Sequence, residues 1–340
     1  MIDAAHYYSN ILHFYSIAIP NYLEGPFLDP TIGNLIRVYQ KTPEYAKMVF
    51  EMINFGQKLS SVIGGKSIIL VSAIVGGIKK PLSEKDCKFF LRDVNKQIEY
   101  TEKTLDICLK HLEENWEIIN KLGNVPTYHI GFTKNGIHDI YEGNVRIIAP
   151  DGKKVDYNIL DFFSSLDVHN SKNNESMHLY YKPAGYPDGI YRSNSLSRIN
   201  VTTKMATDLA EDAFKKFKEK LGSISNHTYA YPWVRIIEAI ESIEIIKNLL
   251  EDPDIVNPEC KTLDVEPKGE FGIGACEAPE GLLVYRIWSD FDGVCEKISI
   301  LNATTQNVAS TEKILSKTAK DIFNEKVLEN LNLECFLREL

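Results

Sequence analysis

The stretch GEFGIGACEAPEGLLVYRIWSDFDG, residues 269–293, gathers four glycines and a cysteine into its first thirteen positions and then continues as a strand and a hairpin turn. Its opening reads as a glycine-rich loop of the kind that lines active sites. The loop contains no Walker lysine, and a dinucleotide fingerprint would need Gly-x-Gly-x-x-Gly between a strand and a helix. Here Gly272-Ile273-Gly274 leads through Ala275, Cys276 and Glu277 into a strand, which argues against nucleotide binding. Cys276 beside Glu277 offers a thiol next to a base, yet the sequence places no histidine to activate it. A buried structural cysteine answers to the same residues. Glu277 and Glu280 flank Pro279; paired carboxylates divide acid and base roles when their pKa values separate, and otherwise they are loop charge.

Downstream, Asp292-Gly293 turns LLVYRIWSDFDGVCEKISIL into a hairpin, and residues 310–337 read as a closing helix with charges outward. Upstream, 231–252 reads as a strongly amphipathic helix and 203–222 as another. Residues 167–190, rich in Asn, Ser, Lys, Pro and Gly, read as an extended surface loop. YEGNVRIIAPDGKKVDY, 141–157, alternates about Pro150-Asp151-Gly152 as a hairpin. Three long helices fill the first third of the chain. The first lies within 3–24, ends before Pro20, and carries Tyr8, Ile11, Leu12, Tyr15 and Ile19 on one face. The second runs from Pro43 to Ile63 and the third from Ser83 to Leu122. His6 and His13 share a helix face without a nearby carboxylate and read as core or interface residues. The composite is an α+β, helix-dominated fold, a helical bundle core with small β-hairpins and no βαβ alternation.

The 340 residues carry a net charge of -9 and no run of four basic residues, which excludes a nucleic-acid surface. The longest apolar run, SIILVSAIVGGI at 67–78, is too short and glycine-broken to span a membrane. The N-terminus lacks the basic region and cleavage site of a signal peptide, so a cytoplasmic location is expected. Six cysteines stand singly at 87, 108, 260, 276, 295 and 335, without a Cys-x-x-Cys pair, and most read as small core hydrophobes.

With its neighbours, the opening stretch resembles a known family. GIGACEAPEGLLVYRIWSDFDGVCEKISILNATTQN is similar to the Gly-x-Gly-x-x-Glu-Ala-Pro-Arg-Gly segment, hairpin and Thr-Thr-Gln-Asn turn of the large subunit of [NiFe] hydrogenases, particularly the cytoplasmic, cofactor-coupled type. HYYSNILHFYSIAIPNYLEG resembles that family's early Ser-His-x-x-His-Phe helix, and GGKSIILVSAIVGGIKKPLS its Gly-Gly-Arg-x-Ile-His-Pro segment. GIYRSNSLSRIN resembles Val-Gly-Pro-Leu-Ala-Arg-x-Asn, and WVRIIEAIESIEIIKNLLED an Ala-Arg-x-x-Glu helix. The resemblance covers essentially the whole chain. It implies one large-subunit-like domain over 1–340: a helical bundle part at 1–125, a hairpin and loop part at 126–200, and helices with a remnant active-site loop and hairpin at 201–340.

The family's metal site needs two Cys-x-x-Cys pairs, one near each terminus, holding nickel and an iron that carries cyanide and carbon monoxide; soft thiolates suit those metals. This sequence has neither pair. It begins beyond the point expected for the first and ends at ECFLREL, before the family's Asp-Pro-Cys-x-x-Cys, so no cofactor and no metal ligand are expected in this chain. The arginine of Glu-Ala-Pro-Arg-Gly, which the resemblance places over the metals, is Glu280, and the His-Pro positions are Ile69 and Leu70. Val-Gly-Pro-Leu-Ala-Arg has become Ser193 to Arg198, keeping Leu196 and Arg198. Glu277, Ala278, Pro279, Gly281, Thr304, Thr305, Gln306 and Asn307 carry over. Cys276, Glu277, Pro279, Glu280, Thr304 and Thr305 are therefore expected to form a vestigial pocket with no catalytic residue.

Two functions follow from the resemblance. One is a non-catalytic large-subunit homologue pairing with an iron-sulfur small subunit inside a larger cytoplasmic electron-transfer complex. The alternative is the middle piece of a split or truncated hydrogenase, oxidising H2 or reducing protons with cysteines supplied by other polypeptides. Glu280 favours the first, since losing one preorganised active-site charge costs about a hundredfold to a thousandfold in rate. The aromatics Tyr7, Tyr8, Phe14 and Tyr15 add an expectation that the first helix faces a partner.

Overall fold

The computed structural model describes residues 1–19, 36, 39–40, 42–67, 69–120, 123–170, 177–262 and 266–324. Pro20 and the turn after it, residues 325–337 of the expected closing helix, and the ECFLREL segment with Cys335 lie outside the described residues.

Helix α1 (Ile2–His13) runs on as a π-helical turn at Phe14–Ala18. Helix α2 (Pro43–Gly64) has proline preset in its first turn and ends on Gly65 at φ 78°, whose N–H reaches back to Ser61 O. Strands β1 (Ala73–Ile74) and β2 (Gly77–Ile78) form a small hairpin. Helix α3 (Glu84–Glu114) starts at Ser83, whose Oγ accepts the Asp86 N–H, with Glu84 and Asp86 complementing the helix dipole. The short α4 (Trp116–Ile119) follows. Then come β3 (Tyr128–Lys134), β4 (Ile137–His138), β5 (Asn144–Ile148), β6 (Lys154–Tyr157), α5 (Ile159–Ser164), β7 (Leu166–Asn170), β8 (Met177–Tyr181) and β9 (Tyr191–Arg192). The chain continues with α6 (Ser195–Val201), α7 (Asp208–Leu221), α8 (Tyr231–Glu251), β10 (Phe271–Ala278), β11 (Gly281–Ser289), β12 (Cys295–Leu301) and α9 (Ala303–Asn324). These elements gather into two compact units, residues 1–115 with 235–266, and residues 116–234 with 267 onward.

The first unit is helical. Tyr7, Ile11, Phe14 and Tyr15 are fully buried, and the two tyrosine hydroxyls land on a polar stripe of α3. Tyr15 Oη lies 2.7 Å from Thr104 Oγ1, and Tyr7 Oη 3.4 Å from both Gln97 Oε1 and Thr101 Oγ1. Phe55 of α2 meets Tyr7 and Phe90 edge-on, with ring centroids 6.2 and 5.5 Å apart. Gly56 permits the close approach, because a Cβ there would stand 2.6 Å from Tyr8 Cβ. Three expectations change here. Leu12 is exposed while Phe14 points inward, because the buried face follows Ala4, Tyr7, Ile11, Phe14 and Ala18, a three-four spacing that leaves Leu12 off it. Three of the four aromatics expected to face a partner are covered by this chain itself, so the first helix does not by itself call for one. Within α8, Ile236 to Ile243 are all buried, so the expected amphipathic pattern gives way to a helix enclosed all round its first half.

The second unit is built on β3, which pairs antiparallel with β4 and β5 and, over Tyr128↔Tyr191 and His129↔Arg192, parallel with β9. Strands β5 and β6 form the expected hairpin about Gly152. Strands β7 and β8 pair from Leu166↔Tyr181 to Asn170↔Met177, so the expected surface loop is in part a hairpin; residues 171–176 between them lie outside the described residues. The glycine-rich stretch read as a loop is likewise a strand. Residues Phe271 to Ala278 pair in register with β11, and β12 completes a three-stranded meander. Ile273, Ala275 and Glu277 alternate with Gly272, Gly274 and Cys276, a period of two that the glycines disguise. A core of Ile130, Phe132, Val145, Ile147, Phe162, Tyr181, Tyr191, Leu282, Val284 and Leu301 joins both sheets. Helix α7 begins at Asp208 rather than 203, because Thr203 is held in a bend by its hydroxyl and N–H, which donate to Gly136 O at 2.7 and 2.8 Å. Helix α9 begins at Ala303, where Asn302 Oδ1 accepts the Thr305 N–H at 2.9 Å and caps the first turn.

Candidate functional site

Three of the sequence segments singled out above meet in the second unit. Asn194 opens α6 by accepting the Ser197 N–H at 3.0 Å, and every residue of the helix is buried. The helix can lie flat on β3 because Gly131 has no side chain; a Cβ there would stand 3.2 Å from Arg198 Cα. Arg198 is thereby aimed at the end of β10. Its Nη1 lies 3.1 Å from Glu277 Oε2 and donates to Ala278 O at 2.9 Å, while Nη2 donates to Pro279 O at 3.0 Å. Glu277 Oε1 accepts the Phe132 N–H at 2.9 Å. Both side chains are shut off from solvent. Such a pair offsets its desolvation only when its hydrogen bonds are met, as they are here by backbone groups on three strands and turns.

The turn after Pro279 is fixed from the other side. Gly281 has φ 142°, and a Cβ would stand 2.0 Å from Ser193 O, so no other residue fits. Ser193 Oγ accepts the Leu282 N–H at 3.1 Å. Asn307 clasps the Ser193 backbone twice, accepting its N–H at 2.8 Å and donating to its carbonyl at 2.9 Å. Gln306 Nε2 donates to Leu282 O at 2.6 Å and its Oε1 accepts from Tyr191 Oη at 3.4 Å. Glu277, Ala278, Pro279, Gly281, Gln306 and Asn307 are thus one hydrogen-bonded frame.

The expected pocket residues separate into two groups. Glu277 and Pro279 belong to the frame. Cys276 sits on the opposite face of β10 from Glu277, half-buried, so the two cannot act as thiol and base. Burial, and then the Glu277 carboxylate, push the Cys276 thiol up. Glu280 is exposed at the tip of the two-residue turn, Thr304 is exposed, and Thr305 is half-buried at the start of α9. Of the other described cysteines, Cys87 and Cys108 are buried, Cys260 is half-buried and Cys295 is exposed, so fewer are core residues than expected. Ile69 is exposed. Sequence reading identified Arg198 as carried over but gave it no partner and missed α6 altogether. The available signal was Asn194-x-x-Ser197, a helix-capping pattern.

The architecture that holds this frame occurs in known proteins. The fold matches the crystal structure of an NAD+-reducing nickel-iron hydrogenase in the H2-reduced state with a TM-score of 0.91 at 25% identity, covering 99% of this chain and 76% of that one. The chain is 38% identical over 317 residues to a subunit of the F420-non-reducing hydrogenase vhu of Methanocaldococcus jannaschii, spanning 93% of this chain and 76% of that protein.

The chain belongs to the nickel-iron hydrogenase large-subunit family.

The corresponding vhu hydrogenase protein of Methanococcus voltae is 37% identical over 319 residues, covering 94% of this chain and 76% of the relative. No protein-family model matches the chain. The expected fold class holds for this large-subunit homologue, helices with small antiparallel sheets, as does the family read from five short segments. Among the described residues, no helix is long and apolar enough to cross a membrane.

Proposed function

We propose that this large-subunit homologue serves as a structural subunit, paired with an iron-sulfur small subunit in a cytoplasmic electron-transfer complex, and has no nickel-iron centre of its own. The observation that carries the reading is the contrast between Glu277 and Glu280, three residues apart. Glu277 and its frame are intact and buried, whereas Glu280 presents a carboxylate at the position the family gives to arginine. Framework positions persist while the reacting position has reversed its charge. The thiols described do not fit a nickel-iron centre. Such a centre needs closely paired thiolates, and Cys87, Cys108, Cys260, Cys276 and Cys295 are dispersed singly, with burial favouring the protonated form of Cys276. Assembly with other chains is supported by the names of the relatives, which are subunits of hydrogenases.

The test is isolation of the native complex through a tag on this chain. An iron-sulfur protein should co-purify, with nickel well below one per chain and no hydrogen-dependent dye reduction from either the wild type or Glu280→Arg. One nickel per chain, with hydrogen uptake lost on removal of a small Cys-x-x-Cys partner, overturns the reading in favour of a split enzyme.

A further inference from the structure

A cleft in the second unit, whose lining includes none of the residues of the Glu277 frame, has the chemistry of a ligand site. It measures about 340 Å³ and lies among the β5–β6 turn, the end of α6 and one face of α7. Lys154 and Lys218 line it, with Asn200, Thr202, Phe214 and Ile224, and no acidic residue does. Lys218 is pinned at its wall, donating to Ser223 O at 2.8 Å and standing 3.5 Å from Asn200 Oδ1. An ammonium has three donors, so a third N–H remains for a ligand. Lys154 is exposed on β6, and the Asp156 carboxylate, on which its charge also acts, is already taken by Arg146 Nε and Nη2 at 2.7 and 2.8 Å.

Thr202 lines the cleft as well, but the residue is 4% exposed and its Oγ1 is shut off from the cleft, so the ligand-facing donors are the two lysines. Behind the cleft lies a further buried cation, Arg192. Asn200 Nδ2 lies 3.2 Å from His129 Nε2, and burial together with the charges of Arg192 and Lys218 keeps that histidine neutral. Burial, and then Lys154, bring the Lys218 ammonium down to about 7. Two cations that repel each other across a cleft with no acidic lining residue are relieved by an anion.

We propose that this cleft binds a small organic anion, a phosphate- or carboxylate-bearing molecule. Its charged group rests on Lys218 and Lys154, and its apolar part lies against Phe214 and Ile224. The apolar wall distinguishes the ligand from a bare inorganic ion, because Phe214 and Ile224 gain only from carbon.

The test uses the full chain at pH 6, where Lys218 carries its proton, with phenyl phosphate, benzoate and inorganic phosphate as calorimetric titrants. Phenyl phosphate or benzoate should bind saturably at millimolar concentration or below and more tightly than inorganic phosphate; whichever ring compound binds tighter identifies the head group. Lys218→Met should weaken it about tenfold or more, and the exposed Lys154→Met, which leaves the fold undisturbed, about threefold to tenfold. Absence of saturable binding by both ring compounds overturns the proposal. Binding that Lys154→Met and Lys218→Met leave unchanged overturns it equally.

Discussion

Arg198 Nη1 and Glu277 Oε2 meet at 3.1 Å across 79 residues of sequence, with the two side chains 0% and 1% exposed. The pair ties α6 to the end of strand β10, and its energetics follow from burial. Removing one partner strands a charge, whereas removing both strands only backbone groups. Arg198→Met or Glu277→Leu alone should lower stability by about 3–5 kcal/mol, and the double substitution should cost less than the sum of the two. Denaturant midpoints of the two single variants and the double variant form the cycle; strict additivity would show that the pair is not coupled.

Glycines of the opening stretch should divide sharply. Gly281→Ala drives a Cβ to 2.0 Å from Ser193 O at φ 142° and should destabilise by about 2 kcal/mol or more. At Gly272 and Gly274 an added Cβ meets nothing within 4 Å. Alanine there should be neutral or stabilise by about 0.4–1 kcal/mol, since it restricts the unfolded chain. Equal losses at all three sites, read from melting temperatures, would contradict the strand geometry.

Stability of the second unit should fall in mild acid. His129 is buried, and burial with the nearby Arg192 holds its pKa down to about 3. In the unfolded chain it titrates near 6.5, so between about 3 and 6.5 the unfolded state binds more protons and stability declines as pH falls, by about 1.4 kcal/mol per pH unit. Above 6.5 the term is flat. Trp116, Trp233 and Trp288 all belong to this unit, so tryptophan fluorescence reports it alone. His129→Gln should remove this part of the acid dependence between pH 6.5 and 5, and an unchanged slope would refute the assignment.

Thiol reactivity should follow exposure and environment. Iodoacetamide should modify Cys295 first, Cys276 more slowly because its thiol is half-buried and pushed up, and Cys87 and Cys108 only on unfolding. Peptide mass spectrometry resolves the order. Rapid labelling of Cys276 would mean an activated thiolate, which the Glu277 frame argues against.

Much of this architecture was legible from periodicity and caps. Ser83 with two acids after it fixed the start of α3, and Pro43 with Gly64-Gly65 bounded α2. The errors share a physical origin in tertiary context. Glycines at alternate positions of β10 mimic a loop because a strand with one bare face needs no side chains there. The β7–β8 segment is polar on its open side and so resembles a surface loop. Leu12 and Phe14 exchanged roles because each fits a three-four spacing, and only packing against α2 and α3 selects the face that is buried. Within the candidate site, the segments were recognised individually, but their wiring was not. Which carbonyls Arg198 reaches depends on α6 lying flat on Gly131, a contact that sequence spacing does not encode.

The interleaving of the two units has a consequence for biosynthesis. The helical unit needs residues 235–266, which leave the ribosome only after most of the second unit has emerged, and Arg198 must wait for Glu277. Neither unit can complete its interior as the chain is made from its first residue onward. A half-synthesised chain therefore displays Ala4, Leu59 and Leu82, the side of the helical unit that Ile246 and Leu250 of α8 complete, and an arginine destined for burial, for most of its time on the ribosome. Nascent chains of this length should accordingly be clients of cotranslational chaperones, and stalling translation before residue 277 should yield a protease-sensitive product where stalling well beyond residue 324 should not.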